Sequence, residues 1–220
     1  MKRAIAVYVG LLALVSPAAA EPPAAVVEEV SGKVTGAEFM DYVAPKAVIK
    51  IGAGGAVILS YMKSCRREKI SGIGTVIVGT EESIVHLADV KAEKTDCDSN
   101  QSHATTRETS EVAATVLRSV APNSLPTPDL TLYGASPLVQ AKGRGTLVIE
   151  RLDVTGEHQQ VDLDGKQLKG KFFDFAGANR ALTPGAVYAA TFGSSRIVFR
   201  VDPRAEGGAS PIVGRLLRME

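Results

Sequence analysis

The sequence has no long hydrophobic run after its first 20 residues and no strong excess of either charge. A helix needs about 18 consecutive apolar residues to cross a bilayer, so we expect the chain after residue 20 not to span a membrane. Its 25 basic and 24 acidic residues nearly balance. A strongly basic composition is typical of nucleic-acid-binding proteins, and we therefore expect no nucleic-acid partner.

Common catalytic and cofactor motifs are also missing. No G-x-S-x-G nucleophile elbow surrounds Ser60 or Ser64. The glycine-bearing segments 72–75 and 142–145 do not complete a G-x-x-x-x-G-K-[ST] phosphate loop, and we interpret them as turns. The sequence therefore predicts no cofactor and no catalytic residues.

Cysteine is scarce, because only Cys65 and Cys97 are present. An even number of cysteines in an exported chain favours a disulfide. A metal site and a reactive thiol are the alternatives. The cations of Arg66 and Arg67 beside Cys65 would favour its thiolate.

The first 20 residues have the pattern of a secretory signal peptide. Lys2 and Arg3 precede an apolar run over 4–15, and small residues at 17–20 provide a cleavage site near Ala20. Removing Lys2 and Arg3 leaves 23 basic against 24 acidic residues, a net charge of −1. We expect a soluble mature protein in the periplasm or outside the cell.

Two β-rich regions follow, so the sequence predicts an all-β protein of two small domains. In residues 25–97, alternating apolar residues such as Val57, Leu59 and Tyr61 lie between glycine turns, which is typical of strands. We expect a roll or barrel-like module there. Residues 130–220 repeat the pattern, with Phe199 between outward-facing arginines, and we expect a sandwich.

A polar and proline-rich linker over 98–129 separates the two predicted domains. Its first part has too few apolar residues to form a core. Residues 108–120 have apolar side chains at helical spacing, which favours a short helix. Pro122, Pro126 and Pro128 interrupt regular structure before the second domain begins.

Two segments resemble known families. Leu182, Pro184, Gly185 and Tyr188 resemble the tyrosine corner of immunoglobulin-like and fibronectin-type sandwiches. The resemblance implies that Pro184 and Gly185 form the corner while the Tyr188 hydroxyl bonds to upstream backbone. It implies an architecture and carries no function.

The opening Val-x-x-Val-Ser-Gly-Lys-Val at 27–34, with the strands after it, resembles a FecR-type periplasmic domain. In that family the domain relays a signal from an outer-membrane receptor towards an anti-sigma element. This chain differs in having no transmembrane helix and no cytoplasmic segment, so the resemblance implies the type of module. A regulatory role would require a membrane partner.

Candidate polar residues are scattered. His86, in an apolar strand, is either a structural residue or a ligand or general base. His103 lies near Asp96, Cys97 and Asp98, but a second pair of zinc ligands at the usual spacing is missing. We therefore predict no metal site.

The densest positive cluster comprises Lys63, Arg66, Arg67 and Lys69. These residues form either a solvated loop or a docking surface for a cell-envelope protein, a lipid headgroup or a cell-wall polymer. Our leading hypothesis is a non-enzymatic exported protein with a binding or scaffolding role in the envelope. The alternatives are a FecR-like sensor module and a secreted hydrolase or thiol enzyme that uses Cys65, His86 and Asp89 at the domain junction.

Overall fold

The computed structural model describes residues 21–99, 125–209 and 211–219. Nearly all of its regular structure is strand, so the all-β fold class is confirmed. The predicted signal peptide and the predicted helix over 108–120 lie outside the described residues. Within the described ranges, no helix has the length and hydropathy that a bilayer span requires.

The first half of the chain, residues 21–99, forms two antiparallel sheets. One sheet has the order β3-β1-β5-β6-β9 and the other the order β2-β4-β7-β8. The strands are β1 (Ala25–Ser31), β2 (Val34–Thr35), β3 (Tyr42–Val43), β4 (Val48–Ile51), β5 (Ala56–Tyr61), β6 (Arg66–Ser71), β7 (Gly74–Val78), β8 (Ser83–His86) and β9 (Asp89–Lys94). Apolar side chains from the two sheets meet in one core, where Ile49, Leu59 and Val76 are fully buried.

The second half, residues 125–219, also contains two sheets. Their orders are β10-β16-β15-β12-β13 and β14-β11-β17, with β10 parallel to β16 and β11 parallel to β17. The strands are β10 (Leu130–Gly134), β11 (Leu138–Ala141), β12 (Gly145–Arg151), β13 (His158–Leu163), β14 (Phe172–Asp174), β15 (Val187–Phe192), β16 (Ser195–Glu206) and β17 (Leu216–Met219). A second core lies between these sheets, and Leu132, Leu147 and Phe199 are buried in it.

A hydrogen bond locks the turn before β15. Tyr188 Oη accepts the Thr183 backbone N–H at 2.8 Å, and the Tyr188 ring stacks on Phe199 at a centroid distance of 5.6 Å. Gly185 has a φ of +82°, a conformation that L side chains rarely adopt. Leu182 is buried in the same core. Together these contacts fix the entry of β15 into its sheet.

Several glycine turns connect different sheets. The Asp164-Gly165 dipeptide is typical of a hairpin, but β13 pairs only with β12, and the next strand, β14, pairs with β11 in the other sheet. The turn at Gly72 likewise takes the chain from β6 to β7 in the opposite sheet. Turn chemistry therefore marks where the chain reverses, while packing decides which strand it joins.

The two halves share a third apolar cluster. Its buried members are Val26, Met40, Met62, Leu138, Phe172, Ile212, Val213 and Leu216. Tyr42 Oη donates to Gln140 Oε1 at 2.6 Å, which adds a polar contact across this interface. A turn of 3₁₀ helix at Ile212–Gly214 contacts both β1 and β5. The first half is therefore packed against the end of the chain.

Candidate functional site

The four basic residues singled out from the sequence lie on β6 and on the turn that leads into it. Lys63 is in the turn after β5, and Arg66, Arg67 and Lys69 lie on β6. Successive residues of a strand point to opposite faces of its sheet. Arg66 therefore points towards the face that packs on the second sheet, while Arg67 and Lys69 point away from it. The sequence cluster is divided between two faces.

Arg66 belongs to an ion-pair network at the edge of the first core. Its Nε donates to Glu68 Oε1 at 2.6 Å, and its Nη2 lies 3.6 Å from Glu82 Oε2. The hydrogen bond to Glu68 raises the pKa of Arg66 despite partial burial of the guanidinium. Glu68 is buried, and its other oxygen accepts the Ser83 N–H at 3.1 Å. This carboxylate joins β6 to β8.

Arg67 is held between two carboxylates on the opposite face. Its Nε lies 3.1 Å from Glu28 Oε2, and its Nη1 lies 2.7 Å from Glu93 Oε1. Burial lowers the pKa of Arg67, but the hydrogen bonds to Glu28 and Glu93 outweigh it and raise the pKa. Ser60 Oγ also donates to Glu28, at 2.7 Å. These contacts tie β1, β5, β6 and β9 together across the sheet.

The remaining two lysines differ from each other. Lys63 Nζ lies 2.6 Å from Glu81 Oε1, and this hydrogen bond lowers the pKa of the exposed Glu81. Lys69 is exposed on β6, directly opposite Lys91 of β9. Three of the four basic residues thus have carboxylate partners. The region is a mixed-charge surface rather than a positive patch.

An open groove of about 390 Å³ lies between this network and β9. We call it the ion-pair groove; its lining residues are Ser64, Arg66, Glu81, Glu82, Ala92, Glu93 and Lys94. Two cations and three carboxylates line it, so its formal charge is −1. Such a groove offers both donors and acceptors to a polar ligand.

A disulfide lies next in sequence to two residues of the groove, because Cys65 stands between Ser64 and Arg66. Cys65 and Cys97 are bonded, with their Cα atoms 5.5 Å apart. Cys65 has a φ of +53° at the end of the turn before β6, and its carbonyl accepts hydrogen bonds from the backbone and hydroxyl of Thr95 at 2.8 and 3.0 Å. The disulfide therefore anchors the chain that leaves β9 to the start of β6, and these two strands supply Arg66, Ala92, Glu93 and Lys94 to the groove.

The buried Tyr61 predicts how stability responds to alkaline pH. Burial raises the pKa of Tyr61 to about 12, and its hydroxyl shares a 2.7 Å hydrogen bond with Ser83 Oγ. Because the folded protein favours the neutral phenol, this stabilisation is complete below about pH 10 and is lost as the pH rises towards the folded pKa. Urea unfolding across this range should show a loss on the order of 3 kcal/mol.

The Tyr61→Phe variant is the control for that experiment, since it keeps the ring and removes the titrating hydroxyl. Its free energy of unfolding should decline less steeply over the same pH range. Identical pH profiles for the wild-type protein and this variant would show that another group controls alkaline unfolding.

The structure does not assemble the residues of the candidate thiol enzyme. Cys65 precedes β6 at the end where Arg66 pairs with Lys94, whereas Asp89 pairs with Ser71 at the other end. Five residues of strand separate these ends by roughly 17 Å. His86 is exposed beyond that second end, opposite Thr75 on the outer face of its sheet. Cys65 is moreover in a disulfide.

The serines are also engaged elsewhere. Ser60 and Lys63 have the spacing of an S-x-x-K motif, a possibility that sequence reasoning missed. Ser60 lies on β5, and its hydroxyl donates a hydrogen bond to Glu28. Lys63 lies in the turn after β5 and forms an ion pair with Glu81. The hydroxyl of Ser64 donates to the Glu81 carbonyl. Ser60 is fully buried, and its partner Glu28 is also paired with Arg67, so this hydroxyl is not open to a substrate.

Of the residues considered for a metal, His103 lies outside the described residues. Asp98 Oδ2 accepts the Thr131 N–H at 2.9 Å, and Cys97 is in the disulfide. In the described part of the chain, no three His, Cys, Asp or Glu side chains form a metal-binding group. The hydrogen bond between Asp98 and Thr131 connects the two halves of the chain, so the role of Asp98 is structural.

Sequence reasoning missed the carboxylates that complete the groove. Glu81 and Glu82 lie in the turn before β8, and Glu93 lies on β9. They are far from the basic cluster in sequence, and only the sheet pairing brings them close. The adjacent acidic pair at 81–82 was the one available signal.

Comparison of the chain with family models, curated proteins and solved structures finds no match.

Proposed function

We propose that this chain is a non-enzymatic exported protein that binds another protein of the cell envelope through the ion-pair groove. The observation that carries this proposal is the open, mixed-charge groove between β6 and β9, whose neighbouring chain segments the Cys65–Cys97 disulfide joins. The signal-peptide pattern of the first 20 residues supports export, and the periplasm is the proposed compartment.

The charge pattern favours a protein partner over a polyanion. Lipid headgroups and anionic cell-wall polymers bind best to uncompensated cations. Here Lys63, Arg66 and Arg67 all have carboxylate partners within 4 Å. Alternating charges instead match the polar rims of protein interfaces, where they provide specificity and register.

The separation of the polar candidates supports binding rather than catalysis. Cys65 is oxidised, and His86 and Asp89 lie towards the opposite end of β6. General acid–base catalysis requires groups within hydrogen-bond reach of one another. The side chains that line the groove are mostly paired charges, and the one hydroxyl among them, that of Ser64, donates to a backbone carbonyl and not to a base.

A binding experiment on washed envelopes tests this proposal. The mature protein, labelled at its amino terminus, is titrated with envelopes from the organism that encodes it. We expect saturable binding that weakens as salt increases. Glu81→Lys combined with Glu82→Lys removes the carboxylate partner of Lys63 and one of the two partners of Arg66. It also reverses two charges of the groove, and we expect binding to weaken roughly tenfold.

The matched control reverses two exposed acidic residues of the second half, in the double variant Glu150→Lys with Glu206→Lys. It changes the net charge equally and should bind like the wild-type protein. Binding unaffected by either double variant would contradict the proposed site. Absence of binding, or hydrolase activity that is lost on His86→Ala, would contradict the proposed function.

The FecR resemblance makes a narrower version testable in the same experiment. A cross-linker added to the same binding mixture joins the bound chain to its envelope partner. If that partner is an integral membrane protein, the binding module has a regulatory partner of the type that the family uses. A soluble or outer-surface partner would support a scaffolding role instead.

A further inference from the structure

Strand β9 is an exposed edge. It is the last strand of its five-stranded sheet and pairs only with β6. All six of its residues, Asp89 to Lys94, are exposed. In the described part of the chain, no backbone group bonds to its outer side. An open strand edge of this kind can pair with another chain.

The backbone groups that point outward can be identified. Thr95 N–H donates to the Cys65 carbonyl, so Thr95 points towards the strand that follows Cys65. Because orientation alternates along an antiparallel strand, Asp89, Lys91 and Glu93 also point towards β6. The N–H and C=O groups of Val90, Ala92 and Lys94 therefore point away from the sheet.

Two cross-strand pairs between β6 and β9 place like charges opposite each other. Lys91 lies directly opposite Lys69, and Lys94 lies directly opposite Arg66. Like charges in directly opposite positions destabilise a sheet. Neither Lys69 nor Lys91 forms an ion pair with any described residue. A carboxylate placed beyond Lys91 would compensate this row.

We propose that β9 pairs antiparallel with β9 of a second copy of this chain, centred on Ala92. A two-fold axis through this position pairs residues of the same orientation, so Ala92 meets Ala92 of the partner subunit and Val90 meets Lys94 of the partner subunit. All three belong to the outward-pointing set. Lys91 then lies opposite Glu93 of the partner subunit, and the reciprocal pair forms as well.

The pairing adds an attractive contact to a row of like charges. This row runs Lys69, Lys91, Glu93 of the partner subunit and Arg67 of the partner subunit, so Lys91 gains a carboxylate as its neighbour. The two-fold axis generates the equivalent row, in which Lys91 of the partner subunit extends the existing Arg67–Glu93 ion pair. A register centred on Lys91 would set Lys91 against its own copy. A register centred on Val90 would set Lys91 against Asp89 of the partner subunit, but it would pair only three residues of β9, whereas the register centred on Ala92 pairs five. Charge complementarity and the length of the pairing together favour a second copy in the Ala92 register.

The dimer strand shares Ala92, Glu93 and Lys94 with the ion-pair groove, but the two proposals fail separately, because the oligomeric state is measured on the purified protein without envelopes. A monomer that still binds envelopes would end the inference and leave the proposed function standing. A dimer that binds no envelopes would support the pairing of β9 and end the proposed function.

Charge reversal at Lys91 tests the pairing in the mature protein. Sedimentation velocity and light scattering over a wide concentration range should show a reversible dimer. Lys91→Glu sets two carboxylates against each other at both symmetry-related contacts with Glu93, so the dimer dissociation constant should rise roughly tenfold or more. Within the chain, the same change places a carboxylate opposite Lys69, so the monomer should not lose stability.

The double variant Lys91→Glu with Glu93→Lys swaps both charges and should restore the dimer. Lys142→Glu, in an exposed turn of the second half, changes the net charge equally and should leave dimerisation unchanged. Hydrogen exchange gives a second readout, because the amides of Val90, Ala92 and Lys94 should be protected in the dimer and exchange faster in Lys91→Glu.

Three results would overturn the inference. A wild-type protein that stays monomeric at every concentration would show that the lysines of β9 keep the edge unpaired. A dimer insensitive to Lys91→Glu would place the interface elsewhere. Failure of the charge-swapped variant to recover, while its monomer remains folded, would exclude the proposed register.

Discussion

Replacing Arg215 by alanine should lower the free energy of unfolding by about 3 kcal/mol. The guanidinium is buried, with its Nη1 2.7 Å from Asp174 Oδ1 and 3.0 Å from the Ser136 carbonyl. Its Nε donates to the Ala209 carbonyl at 2.8 Å. The variant would lose all three contacts and leave Asp174 without its counter-ion.

The expected loss lies at the lower end of the range for buried ion pairs, about 3–5 kcal/mol. The reason is that the Asp174 side chain is 26% exposed, so water compensates part of its lost partner. Arg215 also precedes β17 and follows the 3₁₀ turn at Ile212–Gly214. The variant should therefore loosen the cluster between the two halves, which contains Ile212 and Leu216.

Chemical denaturation monitored by circular dichroism measures this effect. Arg204→Ala is the matched control, because its side chain is 81% exposed and contacts Asp202 at the surface. We expect the control to change the free energy of unfolding by about 0.5 kcal/mol or less. Equal effects of the two variants would mean that the Arg215–Asp174 pair does not hold the end of the chain in place.

Removing the disulfide should destabilise the protein by about 3–4 kcal/mol, because Cys65 and Cys97 close a loop over a sequence separation of 32. We expect this loss in the double variant Cys65→Ser with Cys97→Ser. The loss should be accompanied by weaker protection of the β9 amides, since the bond anchors the chain that leaves β9.

Reduction provides the control for this variant. The wild-type protein with excess reductant should unfold at nearly the same denaturant concentration as the double-serine variant, and the variant itself should not respond to reductant. A free-thiol titration of the native protein should find no reactive thiol. A wild-type protein unaffected by reductant would contradict the structural role of this bond.

The strands of the cores were predictable because their signal is local. In β5, the alternation places Val57, Leu59 and Tyr61 on one inward face, and all three are fully buried. In β16, Phe199 and Val201 are buried while Arg200 is exposed, as expected. Period-two alternation follows from backbone geometry, so it can be recognised without knowing what the strand packs against.

The second face of β5 was not predictable from this pattern. Ile58, Ser60 and Met62 alternate with the core residues but are also buried. Met62 packs in the cluster shared with Ile212 and Leu216, which come from the end of the chain. Alternation indicates two faces, but burial of the second depends on contacts distant in sequence.

The site shows the same division. Lys63, Arg66 and Arg67 were identifiable from the sequence, because neighbouring cations are visible in a short segment. Glu28 and Glu93 were not, since they meet Arg67 from different strands. Those pairings depend on the sheet order, and together with the Lys63–Glu81 and Arg66–Glu68 pairs they turn the cluster of cations into a mixed-charge surface.

Photo-cross-linking in living cells tests most directly whether the groove binds a protein. A photoreactive amino acid is placed at position 82, on the rim of the groove, and in a separate variant at position 142 in the second half. We predict a discrete covalent adduct with one envelope protein from position 82 and none from position 142. No adduct from position 82, or the same adducts from both positions, would contradict the account.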